Sequence, residues 1–277
     1  MSSIRKYRQS WLRWREAYER KAYKIVQSAF NDIGNSIPFD KLTPSTYIMY
    51  IEATVSNDAI AKAYFDIYYE IGVAHGLRVG KMINDDIKDF TADKFIQAYR
   101  EGLMNWVLEN AGTRILSVRN GYIAIIKELI AQGLRDQKTM IEITKEIFKL
   151  VNSPTFYRWQ AMRIARTETT AAANRGAVSA GNTSGVIYEK VWISANDART
   201  RRIPPDEYDH QAMNGIRVLK EEAFSVPAKD GTIEMLPFAG SPNTIFGTQS
   251  HGGNVINCRC SNAIVVKRDA NGRIIRI

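Results

Sequence analysis

Four side chains of the kind that bind metal ions lie in the last third of the chain: His210, His251, Cys258 and Cys260. Thiolate and imidazole groups are the ligands that zinc prefers, and a Cys-x-Cys pair can hold two corners of a tetrahedron. A small unit rich in loops has little hydrophobic core, so a bound metal would stabilise it. The pattern predicts one structural zinc and no other cofactor. The alternative is that both cysteines only pack in a strand, one buried and one facing a loop.

Sequence motifs of several enzyme classes are missing from the chain. It has no Gly-rich phosphate loop, no Gly-x-Ser-x-Gly elbow and no His-Glu-x-x-His helix. Asp209-His210 is reminiscent of a histidine–asparagine–histidine metal nuclease, but the spacing to a central asparagine and a second histidine is absent. A cysteine nucleophile paired with His210 stays open, because spacing alone does not test it. We therefore expect no catalytic residues and no enzymatic activity.

Positive charge is concentrated at the N-terminus. The chain has 38 Lys and Arg against 29 Asp and Glu, a formal net charge of +9. Residues 1–25 contain eight basic and two acidic side chains, which is +6 of that excess. Such a segment favours an acidic partner, either nucleic acid or an acidic protein surface, whereas the alternative is a solvated helix face. The eight candidate contacts are Arg5, Lys6, Arg8, Arg13, Arg15, Arg20, Lys21 and Lys24.

Helical periodicity dominates the first two thirds of the chain. An aromatic stripe that includes Tyr7, Trp11 and Tyr18 predicts a helix over about 5–33, with packing favoured over stacking on bases. Further helices are predicted over 45–84, 92–111, 119–132 and 139–151, with Gly112 and Gly133 as stops. Another is expected to start with Ser153 as N-cap and Pro154 at its first position. Three glycines four residues apart should let another backbone approach one helix closely: Gly72, Gly76 and Gly80.

The character of the sequence changes at about residue 185. The stretch Val186–Ile193 is rich in β-branched and aromatic residues and predicts a strand, as does Ala263–Val266. Turn residues separate the short pieces between them. We therefore predict an α+β protein with a mainly helical domain over 1–184 and a small, β-rich and loop-rich domain over 185–277.

Composition excludes several classes of protein. The longest apolar run falls far short of the roughly 20 residues of a membrane span. The charged N-terminus lacks the apolar core of a signal peptide. The two cysteines, separated by one residue, do not make a disulfide scaffold. We expect neither a membrane protein nor an exported one, and synthesis in a reducing cytoplasm.

Two stretches of the chain together resemble one family. The first, Arg163–Glu168 followed by Ala173–Gly176, is similar to the helix signature of phage head morphogenesis proteins of the Mu F type. The second contains, in order, Trp, Asp-x-Arg, His, Asn-Gly, Phe, Pro and Asn-Cys-Arg-Cys, as in the C-terminal domain of that family. The resemblance covers roughly residues 140–265. The matching positions include Arg166, Glu168, Trp192, Asp197, Arg199, His210, Asn214, Gly215, Phe224, Pro237, Asn257, Cys258, Arg259 and Cys260.

This resemblance implies a minor capsid protein. Such a protein would be present in few copies at the portal vertex of a virion and act in head assembly or in genome packaging and ejection. Its partners would be the portal protein, capsid or scaffolding protein and packaged double-stranded DNA, after synthesis in the host bacterial cytoplasm. Two alternatives remain open: a sequence-independent DNA-binding protein packaged in the head, and a metal-dependent enzyme or effector delivered with the particle.

Residue type suggests roles for two arginines within this pattern. We expect Arg199 to pair with Asp197 or with another carboxylate. Arg259, between the cysteines, is expected to donate hydrogen bonds to carbonyl groups of a neighbouring loop. Together with the histidine, asparagine and cysteines of the pattern, these residues would shape the small domain.

Overall fold

A computed structural model of the chain describes residues 3–87, 90–153, 155 and 157–277. Helices fill the first two thirds of this described part and antiparallel strands the last third, which confirms the α+β class. The helices are α1 (Ser3–Ser36), α2 (Tyr47–Thr54), α3 (Asn57–Ile87), α4 (Ala92–Arg135), α5 (Met140–Val151), α6 (Arg158–Asn182) and the short α7 (Gly252–Val255). The strands are β1 (Tyr188–Ile193), β2 (Arg217–Leu219), β3 (Phe224–Pro227), β4 (Ile233–Leu236) and β5 (Ser261–Val266).

The aromatic stripe of α1 packs into the core. Tyr7, Trp11 and Tyr18 are buried, and their rings meet the edge of His75 on α3 at centroid distances of 5.3 to 6.0 Å. Trp14 is half-buried under the guanidinium of Arg78. The prediction of packing is confirmed, and these buried rings are not presented to bases.

Helices α3 and α6 cross with their backbones in close contact. A Cβ atom at Gly176 of α6 would lie 2.1 Å from the carbonyl oxygen of Gly72 on α3. A Cβ at Gly76 would lie 2.9 Å from the carbonyl oxygen of Gly176. The predicted close approach is therefore confirmed for Gly72 and Gly76, whereas Gly80 faces the ring of Phe90.

Helix α4 is longer than the sequence predicts. The prediction that Gly112 ends a helix is wrong, because α4 continues through it as one helix from Ala92 to Arg135. A helical glycine costs about 1 kcal/mol relative to alanine, which packing by buried residues such as Val107 and Ile115 outweighs. The helix ends two residues after Gly133, close to the second predicted stop.

The helical structure predicted over 45–84 is present as two helices, α2 and α3, with a break at Ser56. The start of the next predicted helix differs from the prediction. Helix α6 begins at Arg158, later than the start predicted at Ser153. Its N-cap residue is Tyr157, whose side chain forms no capping hydrogen bond. The proline predicted for its first position, Pro154, lies outside the described residues.

The central strand β1 joins two hydrophobic clusters. It pairs antiparallel with β2 on one side and with β5 on the other, while β3 and β4 form a separate hairpin. Since side chains alternate along a strand, Val191 and Ile193 face the helices and Trp192 faces a smaller core around the cysteines. The helical core thus continues past residue 185 into β1 and β5. Among the described helices, none combines the length and the apolar character of a bilayer span.

Replacing glycine by alanine should have opposite effects on stability at the helix crossing and on open helix surface. We expect Gly176→Ala to lower the free energy of unfolding by at least about 2 kcal/mol, because its Cβ would collide with the α3 backbone. Gly121→Ala, where a Cβ meets nothing within 4 Å, should raise it by about 1 kcal/mol. Urea denaturation of both variants measures the difference. Equal stability of the two would contradict the close helix contact.

Acid should destabilise the protein through His75. Burial among aromatic rings, with a smaller effect of the Arg78 charge, lowers the pKa of His75 from 6.5 to about 3. Between these values the unfolded chain binds a proton that the folded chain does not, so stability falls by about 1.4 kcal/mol per unit as pH decreases through this window. Urea denaturation from pH 7 to pH 4 measures this slope. In His75→Leu the slope should be smaller, and an unchanged slope would refute the assignment.

Candidate metal centre

Three of the four predicted ligands meet in the small core. His210, Cys258 and Cys260 are each 2% exposed or less, and their ligand atoms lie within 4.8 Å of one another. The Nδ1 atom of His210 lies 3.7 Å from Sγ of Cys258 and 3.6 Å from Sγ of Cys260. Zinc bond lengths of about 2.3 Å to sulfur and 2.0–2.1 Å to nitrogen at tetrahedral angles separate these atoms by about 3.6 Å. The three atoms are therefore spaced like corners of one tetrahedral site.

Hydrogen bonds orient the histidine ring toward the two sulfur atoms. The side-chain amide of Asn254 donates to Oε2 of Glu234 at 2.5 Å, so its oxygen faces Nε2 of His210 at 2.6 Å. Since that oxygen can only accept, Nε2 carries the proton and Nδ1 presents its lone pair to the cysteines. A second hydrogen bond of this kind is how metal-binding histidines are held in the correct tautomer.

The segment before β5 places both cysteines on the same side, because both sulfur atoms lie against Nδ1 of His210. Arg259 between them pairs with Asp197 instead. Both cysteines are buried, which makes the alternative of one buried and one loop-facing cysteine wrong. The Thr170 hydroxyl donates to the carbonyl oxygen of Cys258 at 2.5 Å and ties this segment to α6.

The two thiols differ in acidity. A hydrogen bond from Cys260 holds the pKa of Cys258 well below its usual range against the opposing effect of burial, with smaller contributions from the hydrogen bond to His210 and the charge of Arg201. The interaction with Cys258 and burial raise the pKa of Cys260, against the effect of the backbone N–H of Ala195. Of the two, Cys258 is the thiol with the lowered pKa, and a thiolate is the form that binds a metal.

The fourth predicted ligand, His251, is not brought to this cluster. Its ring is exposed, accepts a hydrogen bond from the backbone N–H of Gly253 and lies 3.4 Å from Glu207. It caps the N-terminus of α7 instead. The prediction placed His251 with the cysteines because of residue type alone.

The arginine roles expected from residue type are corrected by the structure. Arg259 binds both carboxylate oxygens of Asp197, at 2.5 and 2.7 Å, and not loop carbonyl groups. Arg199 is exposed, and only its backbone N–H reaches Asp197. Burial alone would raise the pKa of Asp197, but the charge of Arg259 and the hydrogen bonds to the carboxylate together hold it below its usual value. Asn257 adopts a left-handed φ of 57°, which turns the chain into the Cys-x-Cys segment.

The motif residues of α6 form ion pairs with other helices. Glu168 is 2% exposed and accepts hydrogen bonds from Arg114 on α4 at 2.8 and 3.0 Å and from Tyr68 on α3. Arg166 lies 3.6 Å from Glu19 on α1. Between these two residues, the hydroxyl of Thr167 accepts from the backbone N–H of Asn257 at 2.9 Å. One turn of α6 thus contacts three other helices and the segment before β5.

The basic residues of α1 divide into one buried and seven accessible side chains. Arg15 is 9% exposed and pairs with Glu19 at 3.3 Å, so its assignment as a partner-binding residue is wrong. Lys21 pairs with Glu70 on α3. The remaining candidates are exposed or half-buried: Arg5, Lys6, Arg8, Arg13, Arg20 and Lys24.

The sequence predicts the three clustered residues but not the residues that orient the histidine. Asn254 and Glu234, which orient His210, lie outside the predicted set, and their only sequence signal is polarity within a loop-rich segment. With three ligand atoms and an oriented histidine, the cluster is a possible metal site. Comparison of the chain with family models, curated proteins and solved structures found no match.

Metal content provides a direct test of this site. We expect about one zinc per purified chain, lost in Cys258→Ser and in Cys260→Ser together with a fall in melting temperature. Asn254→Ala, which frees the histidine ring, should weaken zinc affinity by roughly 10–100-fold. Mass spectrometry and a competing chelator measure both quantities. The matched control, His251→Ala, should keep the metal. Absence of metal with unchanged melting in the cysteine variants would exclude the site.

Proposed function

We propose that this chain is a minor capsid protein that acts in head assembly or genome packaging at the portal vertex of a tailed phage or prophage. It acts as a structural component and not as an enzyme, and it resides in the virion. One observation carries the proposal. Residues from both stretches of the resemblance to Mu F type proteins, although about 90 positions apart in sequence, contact one another: Thr167 with Asn257, and Asn174 with Cys260.

The contacts of this set run from α6 into the small core. Thr167 binds the backbone of Asn257, and the Asn174 amide binds the carbonyl oxygen of Cys260. Arg259 and Asp197 form the bidentate pair, and both cysteines meet His210. These contacts join residues from both stretches of the pattern, which supports reading the ordered pattern as one structural unit.

Within this function, we propose that the metal site holds one structural zinc. The site is buried and the three ligands come from a loop-rich segment, so the metal would join His210 to the Cys-x-Cys segment and stabilise the small core. The second part of the proposal concerns α1. Lys6, Arg13 and Arg20 repeat every seven residues and so share one exposed face, which supports contact with an acidic surface such as that of the portal.

Deletion of the coding gene from its phage or prophage tests the proposal. We expect a lysate with few or no infectious particles and with empty or aberrant heads by electron microscopy, restored by the wild-type gene in trans. The triple variant Lys6→Glu, Arg13→Glu and Arg20→Glu should restore fewer particles and release the protein from purified portal. Normal heads and normal titre without the gene would reject a capsid role.

A salt titration separates the DNA-binding alternative from portal docking. DNA binding through α1 would weaken steeply with salt: a plot of the logarithm of the binding constant against the logarithm of the salt concentration has a slope of about −0.9 for each phosphate neutralised. In the triple variant, this plot would be less steep. Strong, salt-steep binding of DNA together with no binding of portal would favour the alternative.

A further inference from the structure

A groove follows the contact between α4 and α6 on the surface. Three adjoining cavities of about 210, 80 and 330 Å³ all have Arg163 in their lining, and two of them share Val118 and Ile164. They lead from the loop before α7, at Ser250, to Trp159 near the start of α6. Along α6 this path covers about eight residues, or about 12 Å.

The lining of the groove combines apolar walls with a few polar groups. Trp159 is 67% exposed, and the Arg163 guanidinium lies 5.0 Å from the centre of its ring. Among the described residues Arg163 forms no ion pair with a carboxylate. The carboxylate of Glu168 in the lining is already bound by Arg114. The groove therefore presents one uncompensated positive charge beside an exposed aromatic ring.

An unpartnered hydroxyl marks the other end of the groove. Ser250 is 3% exposed, lines the first cavity, and its Oγ has no hydrogen-bond partner among the described residues. Tryptophan and arginine are the residues most enriched where binding energy concentrates in interfaces.

We propose that this groove binds an extended segment of a partner protein that carries an acidic residue next to apolar ones. The acidic side chain pairs with Arg163, and the apolar side chains lie against Trp159 and Val118. A length of about 12 Å accommodates about four residues of extended chain. This inference goes beyond the proposed function and does not rest on it.

The glycine at the groove floor allows a test that leaves the fold intact. Gly121 lines the middle cavity, and a Cβ there meets no atom within 4 Å, so Gly121→Met adds bulk to the groove with room at its Cβ. Gly112 is equally open and lies nine residues earlier, on the opposite side of α4. Gly112→Met is therefore the matched control, and urea denaturation confirms that both variants are folded.

A displayed library of random octapeptides, selected on the immobilised full-length chain, identifies the preferred segment. We expect Asp or Glu within two residues of Leu, Ile or Phe. The synthetic peptide should bind Gly121→Met and Arg163→Glu at least tenfold more weakly than the wild type in fluorescence anisotropy, and Gly112→Met equally well. Selection on Arg163→Glu should return Lys or Arg in place of the acid.

Three results would overturn the proposal. The first is the absence of any sequence preference in the selection. The second is equal binding of the selected peptide by the wild type and Gly121→Met. The third is a wild-type dimer in sedimentation that Gly121→Met converts to monomer, since a second copy would then occupy the groove. Because the selection uses the isolated chain, none of these results bears on the capsid role.

Discussion

The two parts of this protein depend on one buried amide, that of Asn174 in the middle of α6. Its nitrogen donates to the carbonyl oxygens of Ala239 and Cys260, and its oxygen accepts from the Ser261 hydroxyl and the Asn262 backbone. All four hydrogen-bonding positions of the side chain are thus occupied at a site with no exposure. A buried polar group that lacks its hydrogen bond costs about 1–3 kcal/mol. These hydrogen bonds therefore fix the position of Cys260 and the start of β5 against α6.

A directed chain of hydrogen bonds extends from this amide to the first helix. The Ser261 hydroxyl gives its proton to Asn174, so Tyr7 of α1 donates to Ser261 and His75 of α3 donates to Tyr7. The indole N–H of Trp11 reaches the carbonyl oxygen of Arg259 at 3.0 Å. The N-terminal helix is therefore bound to the Cys-x-Cys segment almost 250 residues later. The helical region and the small β-rich region share their polar interior as well as their hydrophobic core.

This arrangement explains how the candidate metal site is positioned. The Cys-x-Cys segment is held from α6 by Thr170 and Asn174 and from α1 by Trp11, while Asn254 orients the histidine. A metal at this site would bind ligands whose places are already set by these hydrogen bonds, which lowers the ordering cost of binding. The exposed face of α1 and the α4–α6 groove take no part in these hydrogen bonds and are therefore available for partners.

The sequence by itself determined the features that depend on local periodicity and residue type. The helices α1 and α5, strands β1 and β5, the close helix approach at Gly72 and the pairing of cysteines with His210 were all predictable, because each depends on spacing or ligand chemistry. Only the tertiary structure decided which charges are compensated: Arg15 is buried against Glu19, and Arg259 binds Asp197 in place of Arg199. It also decided that α4 passes through Gly112, and that Asn254 supports the histidine. Those outcomes depend on contacts between residues far apart in sequence, whose burial and packing energies exceed the local preferences that a sequence pattern records.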